Sequence, residues 1–442
     1  MAAGGTSRQD DVEMAAVDEA RAEARHFYAT QWDPDRTVAS WYDTLIRSGW
    51  GYPAWPTTWF GQGLSPRAAR AARDERRAAG ALGPPSGIGP TLLAPMLFAH
   101  GTPEQTGRFV EAMTLGNQTF AQMLSEPDAG SDLAGVRTRA ERDGDEWVIT
   151  GSKIWTSNAG SVDYGMLLAR TNWDVPKHAG LTFFLIRRDQ PGVEVRPLRQ
   201  MTGDAKFNQV FFDGARVPAA DVLGDVDGGW AVTRTFLAHE KNSYNPDSHE
   251  GGPFGRVIPD MAAGAFIEHL KRQATTSAQG RGIGSVLGEL VAAFDRSADP
   301  LVRQALARLH TTRQTMTFTN QRVKAARKGA KASPATPAAG VEAAGSKLAV
   351  SALTRAQRDL GLAVQGPYGM LDGDDAPAAT FQYFALSTPA LSIAGGTDEI
   401  QRNHLGERVL GLPSEPSPER TTPFKDLPAS GRAAGARRAG PE

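Results

Sequence analysis

Leu124-Ser125-Glu126-Pro127-Asp128-Ala129-Gly130-Ser131-Asp132, and further on Gly151-Ser152-Lys153-Ile154-Trp155-Thr156-Ser157-Asn158, carry most of the information in this chain. The first is a Pro/Gly/Ser turn. It offers backbone N–H groups and hydroxyls of the kind that hold a polar ring system or a phosphate. In the second, a Trp flanked by Thr and Ser on an extended run can cover a flat ring while hydroxyls bond its edge. Taken alone, composition favours a plainer reading, an ordinary turn and a core Trp. Between the two, Asp143-Gly144-Asp145 precedes Val148-Ile149 and predicts a hairpin.

Outward from there, strands dominate residues 118–230. Gly165–Ala169, Leu181–Ile186, Val193–Val195 and Val210–Phe212 are short apolar or β-branched runs bounded by Gly, Pro and Asp. They predict a small antiparallel barrel or sandwich. Residues 1–117 read as a helical domain. Val17, Ala20, Ala24 and Phe27 share one helical face in Asp11–Tyr28, and Trp41, Leu45 and Ile46 mark a second helix stopped near Gly49. Gly51–Pro66 reads as loop, Arg67–Ala79 as an exposed helix and Thr91–His100 as a buried one.

Residues 231–413 return to helix, over Val232–His239, Pro259–Arg272, Ile283–Phe294, Leu301–Lys324, Leu348–Val364 and Glu399–Leu410. An Asn/Asp/Pro/Gly-rich loop at 242–255 and an Ala/Pro/Gly-rich connector at 330–345 interrupt them. Residues 414–442 are poor in apolar side chains and are expected to be a disordered tail. Helices, then strands, then helices argue for an α+β multidomain chain, not a doubly wound sheet. No Gly-x-Gly-x-x-Gly turn, P-loop or fixed-period repeat is present.

The bulk numbers exclude other classes. Lys+Arg is 48 and Asp+Glu is 49, giving a formal net charge of -1. Such a balance gives no basic face for nucleic acid or anionic membrane. With no cysteine there is no disulfide, thiolate metal site or cysteine nucleophile. No His/Glu cluster has ligand spacing, so no metal is expected. No apolar run approaches a membrane span of ~20 residues, and residues 1–30 lack an apolar signal core. The default expectation is a cytoplasmic protein.

The two opening segments resemble the acyl-CoA dehydrogenase signature, a loop close to T-E-P-x-A-G-S-D and a strand close to G-x-K-x-W-I-T/S-N. Likeness continues through Lys177–Leu185, Phe207–Leu223 and Gly395–Gly411, with weaker traces at Gly49–Gly61 and Gly101–Gln105. The resemblance implies N-terminal helices, a middle β-domain, a C-terminal four-helix bundle and FAD as cofactor. The implied reaction converts an acyl-CoA to a trans-2-enoyl-CoA, with an electron-transferring flavoprotein as acceptor. By position, Gln122, Leu124 and Ser125 would run beside the flavin ring, and Gly130 and Ser131 would form the turn near flavin and thioester. Trp155 would cover the ring and Ser157 bond its edge. Thr397 and Glu399 would touch FAD from a helix N-terminus, an apt place for a polar oxygen, although Thr397 also suits plain helix capping. Gln365 and Gly369 match a segment that contacts the adenosine half of a neighbouring subunit's FAD.

Two departures shape the expected mechanism. Where much of the family has Tyr-Glu-Gly-Thr, this chain has Ala394-Gly395-Gly396-Thr397, so the usual catalytic glutamate is Gly395. A minority branch keeps its base in an L-x-x-E-R helix, matched here by Leu237-Ala238-His239-Glu240-Lys241. Glu240 is then the base, while the Gly395 N–H can still hold the thioester oxygen. The usual Arg-x-x-Phe-Gly contact to a neighbour's FAD is missing, which resembles heterotetrameric bacterial members. A homo-oligomer remains open. The loop after Lys241 suggests a pocket for a branched, cyclic or steroid-like acyl group. A flavin monooxygenase of the same fold, or a non-catalytic partner subunit, are the alternatives.

Overall fold

The computed structural model describes residues 5–243, 253, 256–276, 283–329, 337–371, 378–414 and 421–428. The chain divides into two compact units. The first comprises residues 1–198, 205–271 and 418–442, the second residues 199–204 and 272–417.

The first unit opens with helices α1 (Gly5–Gln31), α2 (Val38–Arg47), α3 (Pro66–Ala78), α4 (Ala94–His100) and α5 (Pro103–Thr114). The predicted face of α1 is buried at Val17, Ala20, Ala24 and Tyr28. Helix α2 ends before Gly49, whose φ of +79° suits the left-handed region. Helix α3 corrects the expectation of an exposed helix. Its alanines Ala68, Ala69, Ala71 and Ala72 are buried, and the absence of bulky side chains lets it lie close along α1. A π-turn, Gly89–Leu93, leads into α4. Helix α5 was not anticipated, although Thr102 and Gln105 form a capping box with Pro103 at the first position.

Eight strands follow: β1 (Phe120–Met123), β2 (Arg139–Asp143), β3 (Glu146–Ser157), β4 (Tyr164–Arg170), β5 (Leu181–Arg187), β6 (Val193–Leu198), β7 (Phe207–Pro218) and β8 (Val222–Leu223). They form one sheet in the order β6-β7-β3-β2-β4-β5-β8, with β1 beside β4. The β2–β3 hairpin forms as predicted, with Asp143 opposite Glu146. The sheet is neither closed into a barrel nor wholly antiparallel, because β1–β4 and β2–β4 pair in parallel.

Alternation along β4 and β5 explains how one sheet serves two cores. Met166, Leu168, Phe183 and Leu185 face a core shared with α4, α5 and Phe236. Leu167, Ala169, Phe184 and Ile186 face the opposite way, against Trp147, Ile149, Val210, Phe212 and Val217 of β3 and β7. That second core is compatible with a sandwich. The unit continues with α6 (Gly229–Ser243) and α7 (Ala263–Thr276), the latter crossing into the second unit. Helix α6 includes Asn242 and Ser243, the first two residues of the expected loop; residues 244–252 and 254–255 lie outside the described residues.

The second unit contains α8 (Ile283–Ala293), α9 (Pro300–Gly329), α10 (Pro337–Gln365), α11 (Ala378–Ser387), α12 (Pro389–Ile393) and α13 (Asp398–His404). Helices α8 to α11 share one core of Val286, Leu287, Leu290, Val302, Leu360, Val364 and Phe381. Gly361 admits Phe381 there, since a Cβ would stand 2.0 Å from the ring. The expected connector at 330–345 is corrected in its second part. Residues 337–345 already belong to α10, and 330–336 lie outside the described residues.

The tail is also corrected. Thr421–Pro428 is ordered in the first unit, with Phe424 only 2% exposed. No described helix is long and apolar enough to cross a membrane.

Candidate active site

The signature loop is built on a buried ion pair. Lys153, 0% exposed on β3, donates to the Leu124 carbonyl (2.9 Å) and to the Glu126 carboxylate (2.8 Å). Glu126 also accepts from the backbone N–H groups of Arg137 (2.6 Å) and Thr138 (2.8 Å). Burial alone would push its carboxyl up. The Lys153 ammonium and these hydrogen bonds outweigh burial and hold it below the usual carboxylate range. Glu126 and Lys153 therefore shape the loop. They were legible only as motif letters, and their pairing is a fact of the fold.

Leu124 sits in the core, Ser125 accepts from the Ile154 N–H (2.9 Å), and Gln122 is half-buried on β1 opposite Met166. Gly130 and Ser131 are exposed at the turn. Ser157 is half-buried, opposite Phe207 of β7. Trp155 is the unexpected element. The β3–β7 register shifts between Lys153 and Thr156, and Trp155 at that irregularity has φ of +60°. Left-handed backbone is costly for a bulky side chain, by about 1–3 kcal/mol. The bulge turns the indole out to 56% exposure, edge-on to Phe207 at 5.8 Å. A continuous β-propensity run gave no sign of this break.

Glu240 lies on the last turn of α6, half-buried. It follows Phe236 by one turn, and Phe236 and Leu237 pack into the core shared with α4. Burial pushes the neighbouring His239 imidazole down from its usual value.

The glycine turn belongs to the second unit. Gly395 and Gly396 have φ of +65° and +82°. Thr397 caps α13, its Oγ1 accepting from the Ile400 N–H at 3.2 Å. Asp398 is buried between Lys347 (2.9 Å) and Arg355 (3.1 Å). Burial would raise its carboxyl, but the two cations dominate and push it down to about 2. Glu399 is exposed and pairs with Arg402 at 3.1 Å. Gln365 stands apart from this turn, at the end of α10. It is buried, donates to the Gly361 carbonyl (3.2 Å) and accepts from Gln382 (3.1 Å). Gly369 lies just beyond, in the short 3-10 turn Gly366–Met370.

Comparison with known proteins supplies the class of this α+β chain. The acyl-CoA dehydrogenase middle-domain model matches residues 121–215, and the C-terminal-domain model matches residues 289–410. The chain is 37% identical to the acyl-CoA dehydrogenase IpdE1 of Mycobacterium tuberculosis, over 85% of this chain and 88% of that protein. It is 34% identical to acyl-CoA dehydrogenase FadE34 of the same organism, over 84% of this chain but only 45% of FadE34, so it spans about half of that relative. Among solved structures it is similar to the Tcur3481-Tcur3483 steroid ACAD, with a TM-score of 0.62 and 26% identity over 91% of this chain and 98% of that one.

The chain belongs to the acyl-CoA dehydrogenase family, and membership brings FAD as its cofactor. The residues present fit that group. An indole held outward by a strained, bulged strand beside a polar turn is an open surface for a planar ring.

Proposed function

We propose that the chain dehydrogenates an acyl-CoA thioester to a trans-2-enoyl-CoA, with Glu240 taking the α-proton. The observation that carries this reading is the glycine turn. Gly395 offers a backbone N–H and no side chain. Asp398 is committed to two cations and Glu399 is exposed to water. Neither suits the abstraction of a weakly acidic C–H. The half-buried Glu240 carboxylate on α6 stands at the family's alternative base position, where an entering acyl chain would expel water.

The Gly395 N–H would hold the thioester oxygen as enolate charge develops. FAD, when bound, supplies the acceptor for the β-hydrogen as hydride. Gln122, Leu124, Ser125, Trp155 and Ser157 would line its ring. Gly130 and Ser131 would orient the thioester end. Thr397, Glu399, Gln365 and Gly369 are assigned to FAD on the family pattern alone. For Gln365, its bonds to Gly361 and Gln382 leave mainly a packing role in this chain.

The substrate class is a branched, cyclic or steroid-like acyl group. The steroid designation of the solved relative supports that choice. That relative is also named as a pair of chains, which favours a heterotetramer in which a related subunit completes the FAD contacts. The electron acceptor would be an electron-transferring flavoprotein, and the compartment the cytoplasm.

Glu240→Gln tests the base. Dehydrogenation should fall at least about 100-fold, the lower end for loss of a general base, with flavin content and absorbance spectrum unchanged. Turnover within a few-fold of the parent would refute the assignment. An oxygen-dependent activity that survives the change would instead support a monooxygenase. Straight-chain butyryl- to octanoyl-CoA oxidised as well as any bulky thioester would overturn the substrate class.

A further inference from the structure

Behind the signature loop lies a buried cation that the chemistry does not use. Arg170 is 0% exposed. Its Nε donates to the Val136 carbonyl (3.1 Å), and its Nη2 donates to the carbonyls of Ala134 (2.6 Å) and Lys177 (3.1 Å). Lys177 in turn reaches Asp132, the last residue of the signature, at 2.8 Å. The segment Asp132–Val136 is thus tied from behind by one guanidinium and one ammonium.

The outer face of that guanidinium is closed by the C-terminal segment. The Phe424 ring centroid lies 3.4 Å from Arg170 Cζ and 4.9 Å from Arg137 Cζ, and Trp173 packs against Phe424 at 5.4 Å. Backbone bonds fix the segment to the loop between β4 and β5. Phe424 N–H donates to the Val175 carbonyl (2.8 Å) and Lys425 N–H to the Trp173 carbonyl (3.0 Å). Lys425 also pairs with Asp174 at 2.7 Å. Arg137 Nη2 donates to the Leu427 carbonyl at 3.4 Å, so the strap also grips the strand entry that Glu126 holds.

We propose that Thr421–Pro428 is a strap that positions the signature loop, with Phe424 as the positioning residue. The ring excludes water from Arg170, so the guanidinium spends its donors on the carbonyls of Ala134, Val136 and Lys177. Without the ring, water competes for those donors and the Gly130–Asp132 turn loosens. The strap deepens the proposed function, since it acts on the turn that reading assigns to the flavin and thioester.

Two measurements on the full chain separate the strap from the flavin assignment. In flavin-free protein, Phe424→Ala should speed amide hydrogen exchange at residues 130–136 about tenfold, as expected when a desolvated cation–π contact is lost. Phe424→Tyr should restore it. Exchange unchanged at 130–136 overturns the strap. The second measurement is FAD titration. Phe424→Ala should weaken FAD binding about tenfold, corresponding to one decade in dissociation constant, and Phe424→Tyr should recover it. Faster exchange with unaltered FAD binding would keep the strap and remove the turn from the flavin site. A lower melting temperature alone, with neither change, would reduce the segment to packing.

Discussion

The signature loop of the first unit and the glycine turn of the second each carry a buried carboxylate. Both are ion-paired, yet in different ways. Glu126 meets a fully buried lysine and two backbone N–H groups inside a closed frame. Asp398 meets Lys347 and Arg355, whose side chains retain 21% and 35% exposure. The contrast teaches that a carboxylate in a motif must be judged by its partners. A group already held by cations is a weak base however well placed. The proton transfer is assigned instead to Glu240, half-buried on α6, on the strength of its motif and of the glycine at position 395.

The largest effect should come from breaking the closed frame. Lys153→Met leaves Glu126 buried without its cation, and removing one partner of a buried pair typically costs about 3–5 kcal/mol. The two backbone donors to Glu126 place the expected loss near the lower bound. A urea melt measures it. Adding Glu126→Gln should recover part of the loss, because a neutral amide has less charge to strand. Equal melts for Lys153→Met and the parent would mean the pair shapes nothing.

The same contrast explains what could be read in advance. Helices α1, α2, α4 and the β2–β3 hairpin follow from apolar spacing and turn residues, which are local. The order of helices and strands followed too. The parallel β1–β4 and β2–β4 pairings did not, because strand direction across a sheet is set by long connections rather than by period. Trp155 was placed in the site from its motif, but its bulge and left-handed backbone depend on the register with β7. Residues 421–428 fall in the 414–442 tail, which reads as disordered because it is poor in apolar side chains. Their order comes from one aromatic ring and a buried arginine far away in the chain.

A smaller effect belongs to the more open pair. Asp398→Asn should lower stability at neutral pH by about 2 kcal/mol, the worth of a carboxyl held at about 2 rather than at 3.8. The sign follows from the depressed value. The contribution is fully present above pH 3.8 and is lost as pH falls through 2. Parent and variant should therefore converge in acid, which thermal melts between neutral pH and pH 2 would show. Turnover should stay within about threefold, since the residue takes no proton in this scheme. A 100-fold loss would transfer the base from α6 to α13.

The smallest effect tests whether the turn could ever have held the base. Gly395→Glu restores the side chain found there in much of the family. With φ of +65°, a β-carbon at this position meets left-handed strain of about 1–2 kcal/mol. Its carboxylate would also enter a turn whose carbonyl already accepts from Gln401 at 3.3 Å. Stability should fall by that modest amount. Placed in the Glu240→Gln background, the new glutamate should restore less than about one-tenth of parental turnover, because a proton-transfer group misplaced by an ångström loses much of its rate. Full restoration would mean that the two base positions are interchangeable in this scaffold. The distinction drawn between the turn and α6 would then rest on substrate fit rather than on proton transfer.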